Sequence, residues 1–167
     1  MKKLLILIIL LSSISLYSQE KKPTTYYFIR HADKVLKASV QNPELTKKGK
    51  KRAIFWSEVF DHVKFDMVFS TNFKRTVATA APNAKRKGLK IQLYDPKNGL
   101  SKDFLEKTKG KTVLIVGHSN TIPGYVNKII NKKKYLDISE SNYSNLYIVT
   151  ISNQESNNIL LKIPFQN

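Results

Sequence analysis

The chain has no cysteine among its 167 residues. That excludes disulfides, thiolate metal centres and a lipid-modified cysteine anchor. Acidic residues are scarce, 12 Asp and Glu against 29 Lys and Arg, leaving a formal charge of +17. Zinc-finger spacing, an aromatic ribonucleoprotein-type run and an obvious recognition helix are all missing, so the charge does not specify a nucleic-acid reader. There is no internal repeat, no long low-complexity segment and no second composition regime. The longest apolar run, Leu4 to Leu11, is too short to span a bilayer.

That run follows Lys2 and Lys3 and precedes Ser12, Ser13, Ser15 and Ser18. Basic head, apolar centre and small residues form the pattern of a secretory signal peptide. The expectation is a signal over residues 1–19, one domain over residues 20–167, no stable membrane span after cleavage, and a periplasmic or secreted protein. The lysines gather at Lys47-Lys48, Lys50-Lys51-Arg52, Lys85-Arg86-Lys87 and Lys132-Lys133-Lys134. They read as a solvated basic surface, compatible with attraction of anionic substrates or an anionic envelope.

Strand and helix signals alternate. Apolar runs at Tyr26 to Arg30 and Thr112 to Gly117 read as buried strands; Asp66 to Ser70, with Met67-Val68-Phe69 as its apolar centre, and Ile91 to Tyr94 read as two further strands. Thr46 is an N-cap for a helix to about His62, with Ala53, Trp56, Val59 and Phe60 on its inner face. A second helix runs from about Phe73 to Lys87, with Pro82 as a kink or early break and Gly88 as its stop. Helices follow at about Leu100 to Lys109 and Thr121 to Asn131, with Pro123 in the first turn of the latter. Leu146 to Ile151 and Ile159 to Phe165 are further strands, joined by a polar loop over Ser152 to Asn158. This alternation predicts a three-layer α/β/α sandwich with a mostly parallel sheet.

Chemistry is concentrated at strand ends. Phe28-Ile29 leads into Arg30-His31-Ala32, and Ile115-Val116 leads into Gly117-His118-Ser119. In open α/β sheets, ligands bind beyond the carboxyl ends of the strands. Two histidines and an arginine there can converge on one anion. Phosphoryl transfer needs cationic donors around the transferred group, a nucleophile in line and a proton for the leaving oxygen. His31 fits the nucleophile and Arg30 a bidentate clamp. His118 is a second donor, and Arg75 approaches from the start of the second helix, where backbone N–H groups add anion affinity.

The ordered set resembles the histidine phosphatase superfamily, with its phosphoglycerate-mutase-like fold. The matching segments are Phe28-Ile29-Arg30-His31-Ala32, Leu45-Thr46-Lys47-Lys48-Gly49, Phe69-Ser70-Thr71 through Arg75 to Ala80, and Val116-Gly117-His118-Ser119. The resemblance implies a covalent phosphohistidine on His31, a phosphate pocket of Arg30, Arg75 and His118, and no metal or other cofactor. It implies a phosphorylated small molecule or macromolecule as partner, and no specific nucleic acid. Two positions depart from the family. Ala32 replaces the usual glycine, and Lys37 stands where many members carry asparagine, which makes Lys37 a candidate phosphate contact beside Lys34. No match to the family's glutamate acid is present. Asp95 is the candidate proton donor, with a turn role before Pro96 as the alternative; Asp33 is second, and water the third. Little room for insertions implies an open site. The competing expectations are a weak or inactive phosphate-binding protein on the same fold and a polyanion-binding surface.

Overall fold

The computed structural model describes residues 22–37, 39–153 and 155–166. The expected signal segment lies outside them. Among the described residues, no helix is long and apolar enough to cross a membrane.

Ten elements alternate: β1 (Thr24–Arg30), α1 (Lys47–Val59), β2 (Met67–Thr71), α2 (Lys74–Lys87), β3 (Ile91–Tyr94), α3 (Lys102–Thr108), β4 (Thr112–Gly117), α4 (Thr121–Ile129), β5 (Asn145–Ser152) and β6 (Glu155–Lys162). They form one six-stranded sheet in the order β3-β2-β4-β1-β5-β6. The first four neighbours pair in parallel, while β5 and β6 are antiparallel. The sheet is therefore mixed, with a parallel centre as expected.

Strand alternation divides the core in two. Tyr26, Phe28, Val113 and Ile115 face a cluster with Phe104 of α3 and Ile122 and Val126 of α4. Tyr27, Ile29, Leu114 and Val116 point the other way, to Trp56 of α1 and Ala80 and Ala84 of α2. The central strands are apolar on both faces because both are covered, which is why they read as unbroken runs.

Helix α2 runs through Pro82 to Lys87 and stops at Gly88 in the left-handed region, φ 64°, as the sequence predicts; the early break at Pro82 does not occur. Two details differ from the sequence expectations. The hairpin loop expected over Ser152 to Asn158 is shorter: β5 runs to Ser152 and β6 begins at Glu155. As an edge strand it exposes one face, so polar residues fit it, and Asn153 at φ 49° makes the turn tight. In α1, Arg52 is buried rather than part of a solvated lysine patch.

Candidate active site

Topology brings the predicted residues together. β4 lies between β1 and β2, and Arg30 is in register with Gly117. The residues that follow these strands, His31 and His118, are therefore neighbours, with ring centroids 5.6 Å apart. The end of β2 supplies Thr71 on the far side of His118, and the first turn of α2 supplies Arg75.

His31 is buried, and its backbone N–H donates to the Gly117 carbonyl at 2.9 Å. Its Nδ1 is 2.8 Å from the Ala32 carbonyl oxygen. A carbonyl only accepts, so Nδ1 carries the proton and Nε2 keeps its lone pair. The Ala32 N–H donates in turn to Thr79 Oγ1 on α2 at 2.9 Å, which fixes the turn. Burial, with the charges of Arg30, Arg75 and His118 added, pushes His31 down to about 3. It is a neutral imidazole at physiological pH.

His118 is fixed by a chain of donors. Thr76 Oγ1 donates to the carbonyls of Thr71 and Phe73, each at 2.9 Å, and accepts from Thr71 Oγ1, also at 2.9 Å. The single Thr71 hydroxyl proton is thereby used, so Thr71 accepts from His118 Nε2 at 2.9 Å. His118 Nδ1 is left as an acceptor, 3.3 Å from Arg75 Nη2. Burial and the charges of Arg75, Arg30 and Lys34 push His118 down to about 4. Phe73 packs edge-on against His118 and lies under the Arg75 guanidinium, 4.6 Å from its carbon.

Arg30 is 2% exposed, and half of its fork is already engaged. Nη1 donates to the carbonyls of Ser139, Glu140 and Asn142 at 2.8, 3.1 and 3.0 Å. Its plane lies over the Tyr143 ring at 4.4 Å. The other edge is Nε with Nη2: among the described residues Nε has no partner, and Nη2 donates to Glu140 Oε2 at 2.9 Å. The Arg75 Nε is also buried without a partner. Two guanidinium N–H groups thus lack acceptors beside two neutral histidines. A buried donor without an acceptor is costly, so this arrangement calls for an anion.

The remaining expected residues are placed differently. Lys37 is exposed and lines an open cleft of about 430 Å³ with Lys34, Val40, Gln41 and Arg75. Asp95 lines another groove with Asn72, Phe73 and Tyr94, but its oxygens accept from Lys97 N–H at 2.9 Å and Asn98 Nδ2 at 3.4 Å. Those contacts are the turn role that competed with the proton-donor reading. Asp33 is paired with Arg52, Oδ2 to Nε at 2.6 Å, with the second oxygen 3.4 Å from Nη2. Burial works to raise Asp33, but Arg52 outweighs it and holds the carboxyl below its usual range. At the start of α2, Lys74 N–H already donates to Asn42 Oδ1 and Thr76 N–H to Phe73 O, so those two amides are taken. Among the described residues, no group of three or more His, Asp or Glu is arranged to hold a metal.

Glu140, Tyr143 and Thr71 were not singled out from sequence as site residues. Thr71 sits in a recognised segment, but its role appears only when β2 and β4 are aligned. Glu140 and Tyr143 come from the segment between α4 and β5, which has no periodicity and no motif.

Residues 26–96 match the family model described as histidine phosphatase superfamily (branch 1). Over this segment the chain is similar to the histidine phosphatase superfamily. The matched region holds Arg30, His31 and Arg75; His118 lies beyond it. No curated protein matches the chain by sequence. Among solved structures, it resembles the protein histidine phosphatase SixA complexed with tungstate, with a TM-score of 0.65, 14% identity, and 83% of this chain and 96% of that chain covered. It also resembles the alpha-ribazole phosphatase from Shigella flexneri, with a TM-score of 0.62, 14% identity, and 86% and 100% covered. A mycobacterial glucosyl-3-phosphoglycerate phosphatase gives 0.64, 10% identity, and 84% and 98%. At these identities the likeness to solved structures is one of fold.

Proposed function

We propose that this protein is a histidine phosphatase that hydrolyses phosphate monoesters through a covalent phosphohistidine on His31. The observation that carries the reading is the His31–Ala32 hydrogen bond, which leaves Nε2 unprotonated beside the unpartnered Nε groups of Arg30 and Arg75. The Nε2 lone pair forms the N–P bond as the ester P–O bond breaks. Arg30, Arg75 and His118 bind the charged phosphoryl oxygens. The leaving oxygen takes a proton and departs as the alcohol. Water then attacks phosphorus, the P–N bond breaks, and inorganic phosphate leaves a neutral His31.

His118 cannot donate to phosphate while its one proton, on Nε2, is given to Thr71 Oγ1. It binds phosphate by taking a second proton on Nδ1, which a phosphate dianion in the pocket favours. Lys34 and Lys37 beside the cleft favour anionic substrates. The sequence supports an exported protein through the pattern of Lys2 to Ser18.

The test is hydrolysis of p-nitrophenyl phosphate with a chelator present, for wild type and His31→Ala. Chelator-resistant turnover lost in the variant supports the reading. Activity retained by His31→Ala would overturn it, and phosphate binding without turnover in the wild type would favour a binding protein.

A further inference from the structure

The site has nucleophile and anion donors, but Asp33 is committed to Arg52 and Asp95 to a turn. Among the described residues, one further carboxylate touches an arginine of the site. Glu140 Oε2 accepts from Arg30 Nη2 at 2.9 Å and lies 3.6 Å from Lys34 Nζ, while Oε1 accepts from Ser119 Oγ, next to His118, at 3.1 Å. Its position is built by its segment. Ile138 is buried in the core and donates its N–H to the Ser119 carbonyl at 2.9 Å. Arg30 Nη1 straps the carbonyls of Ser139, Glu140 and Asn142. The Glu140 side chain itself is 67% exposed, at the mouth of the site.

Glu140 Oε2 sits on the one edge of Arg30 that can receive a phosphate. Two anions on one guanidinium edge repel each other, and one of them must hold a proton or leave. A phosphate monoester entering as the monoanion brings that proton. We propose that Glu140 is the general acid of this phosphatase, receiving the substrate's proton as phosphate takes over Arg30 and passing it to the leaving oxygen. This rests on the phosphohistidine reading above. In the first step the Glu140 O–H bond breaks and the proton goes to the leaving oxygen as the N–P bond forms and the P–O bond breaks. In the second step the carboxylate takes a proton from the attacking water as the P–N bond breaks, which restores the acid. In the empty site burial works to raise Glu140, but Arg30, Lys34 and Ser119 outweigh it and hold it ionised. The arrival of phosphate removes the largest of those restraints.

The experiment compares kcat/KM for an alkyl phosphate, whose alkoxide needs a proton, with p-nitrophenyl phosphate, whose phenolate does not. Wild type, Glu140→Gln, Glu140→Asp and Asp95→Asn are compared, with melting temperatures to verify folding. In Glu140→Gln, the alkyl phosphate is expected to lose about 100-fold and p-nitrophenyl phosphate at least about ten times less than that. Glu140→Asp should recover part of the alkyl activity, and Asp95→Asn should not show the split. Equal losses on both substrates would overturn the proposal and make Glu140 structural. A gain on both would also overturn it, leaving Glu140 as a mere competitor for Arg30, and a split in Asp95→Asn instead would transfer the role. A wild type inactive on both substrates would defeat the phosphatase reading first, and this proposal with it.

Discussion

Thr71 accepts the Nε2 proton of His118 at 2.9 Å, because its own proton is spent on Thr76. The pair orients the ring and aims Nδ1 at Arg75 and the anion site. Thr71→Val keeps the shape and removes the acceptor. The buried imidazole then loses its fixed tautomer, at a cost of about 1–3 kcal/mol. Phosphate binding, measured by titration calorimetry, is expected to weaken by about tenfold, which is roughly 1.4 kcal/mol. Unchanged affinity would show that Thr71 does not orient the site.

The two histidines also make stability depend on pH. Folded His31 is lowered to about 3 and His118 to about 4, from an ordinary 6.5. Between those values and 6.5 the unfolded chain binds protons that the folded chain does not. The contribution is therefore fully present above pH 6.5 and is lost as pH falls through about 4 for His118 and about 3 for His31. His31 alone adds a slope of up to about 1.4 kcal/mol per pH unit in that window. Urea unfolding from pH 7.5 to 4.5 should show the decline, and His31→Asn should reduce it. A slope unchanged in the variant would place the titration elsewhere.

Beneath the His31 turn, Asp33 and Arg52 form an ion pair with both side chains largely enclosed, 17% and 9% exposed. Arg52 also lies under the rings of Tyr143 and Phe165. Asp33→Asn leaves that guanidinium without its counter-charge, which costs about 3 kcal/mol or more. Arg52→Met in the same chain removes the orphaned charge, so the double variant should recover most of the loss. Both are read from denaturant midpoints at pH 7. A double variant no more stable than Asp33→Asn would deny the pairing its part.

The parallel centre of the sheet was legible because strands covered on both faces are apolar throughout, as in Thr112 to Val116. The His31, Arg75 and His118 positions were legible for the same reason, since they follow the ends of such strands. Arg52 was not, because a buried arginine inside a lysine run has no local mark; only Asp33, 19 positions earlier, reveals it. Glu140 was hidden differently. Its place depends on Ile138 entering the core and on three carbonyls meeting Arg30, and neither leaves a period in the sequence. The start of β6 was missed because an edge strand with one solvated face tolerates Ser156, Asn157 and Asn158.

Gly49 offers a test whose sign is the diagnostic. In an ordinary exposed helix interior, alanine in place of glycine stabilises by up to about 1 kcal/mol. Gly49 lies in the first turn of α1, where an added Cβ would come 2.1 Å from the Asp33 carbonyl oxygen and about 3 Å from its backbone carbon and nitrogen. That oxygen already accepts from Thr46 N–H at 2.9 Å and Thr46 Oγ1 at 3.3 Å, so it is tied to the helix it would have to leave. Backbone cannot yield as a side-chain tip can. Gly49→Ala should therefore destabilise by about 2–3 kcal/mol. It should also reduce turnover, since the displaced segment connects directly to His31. A variant as stable as wild type or more so in thermal unfolding would mean that α1 does not press on the nucleophile turn as closely as this geometry requires.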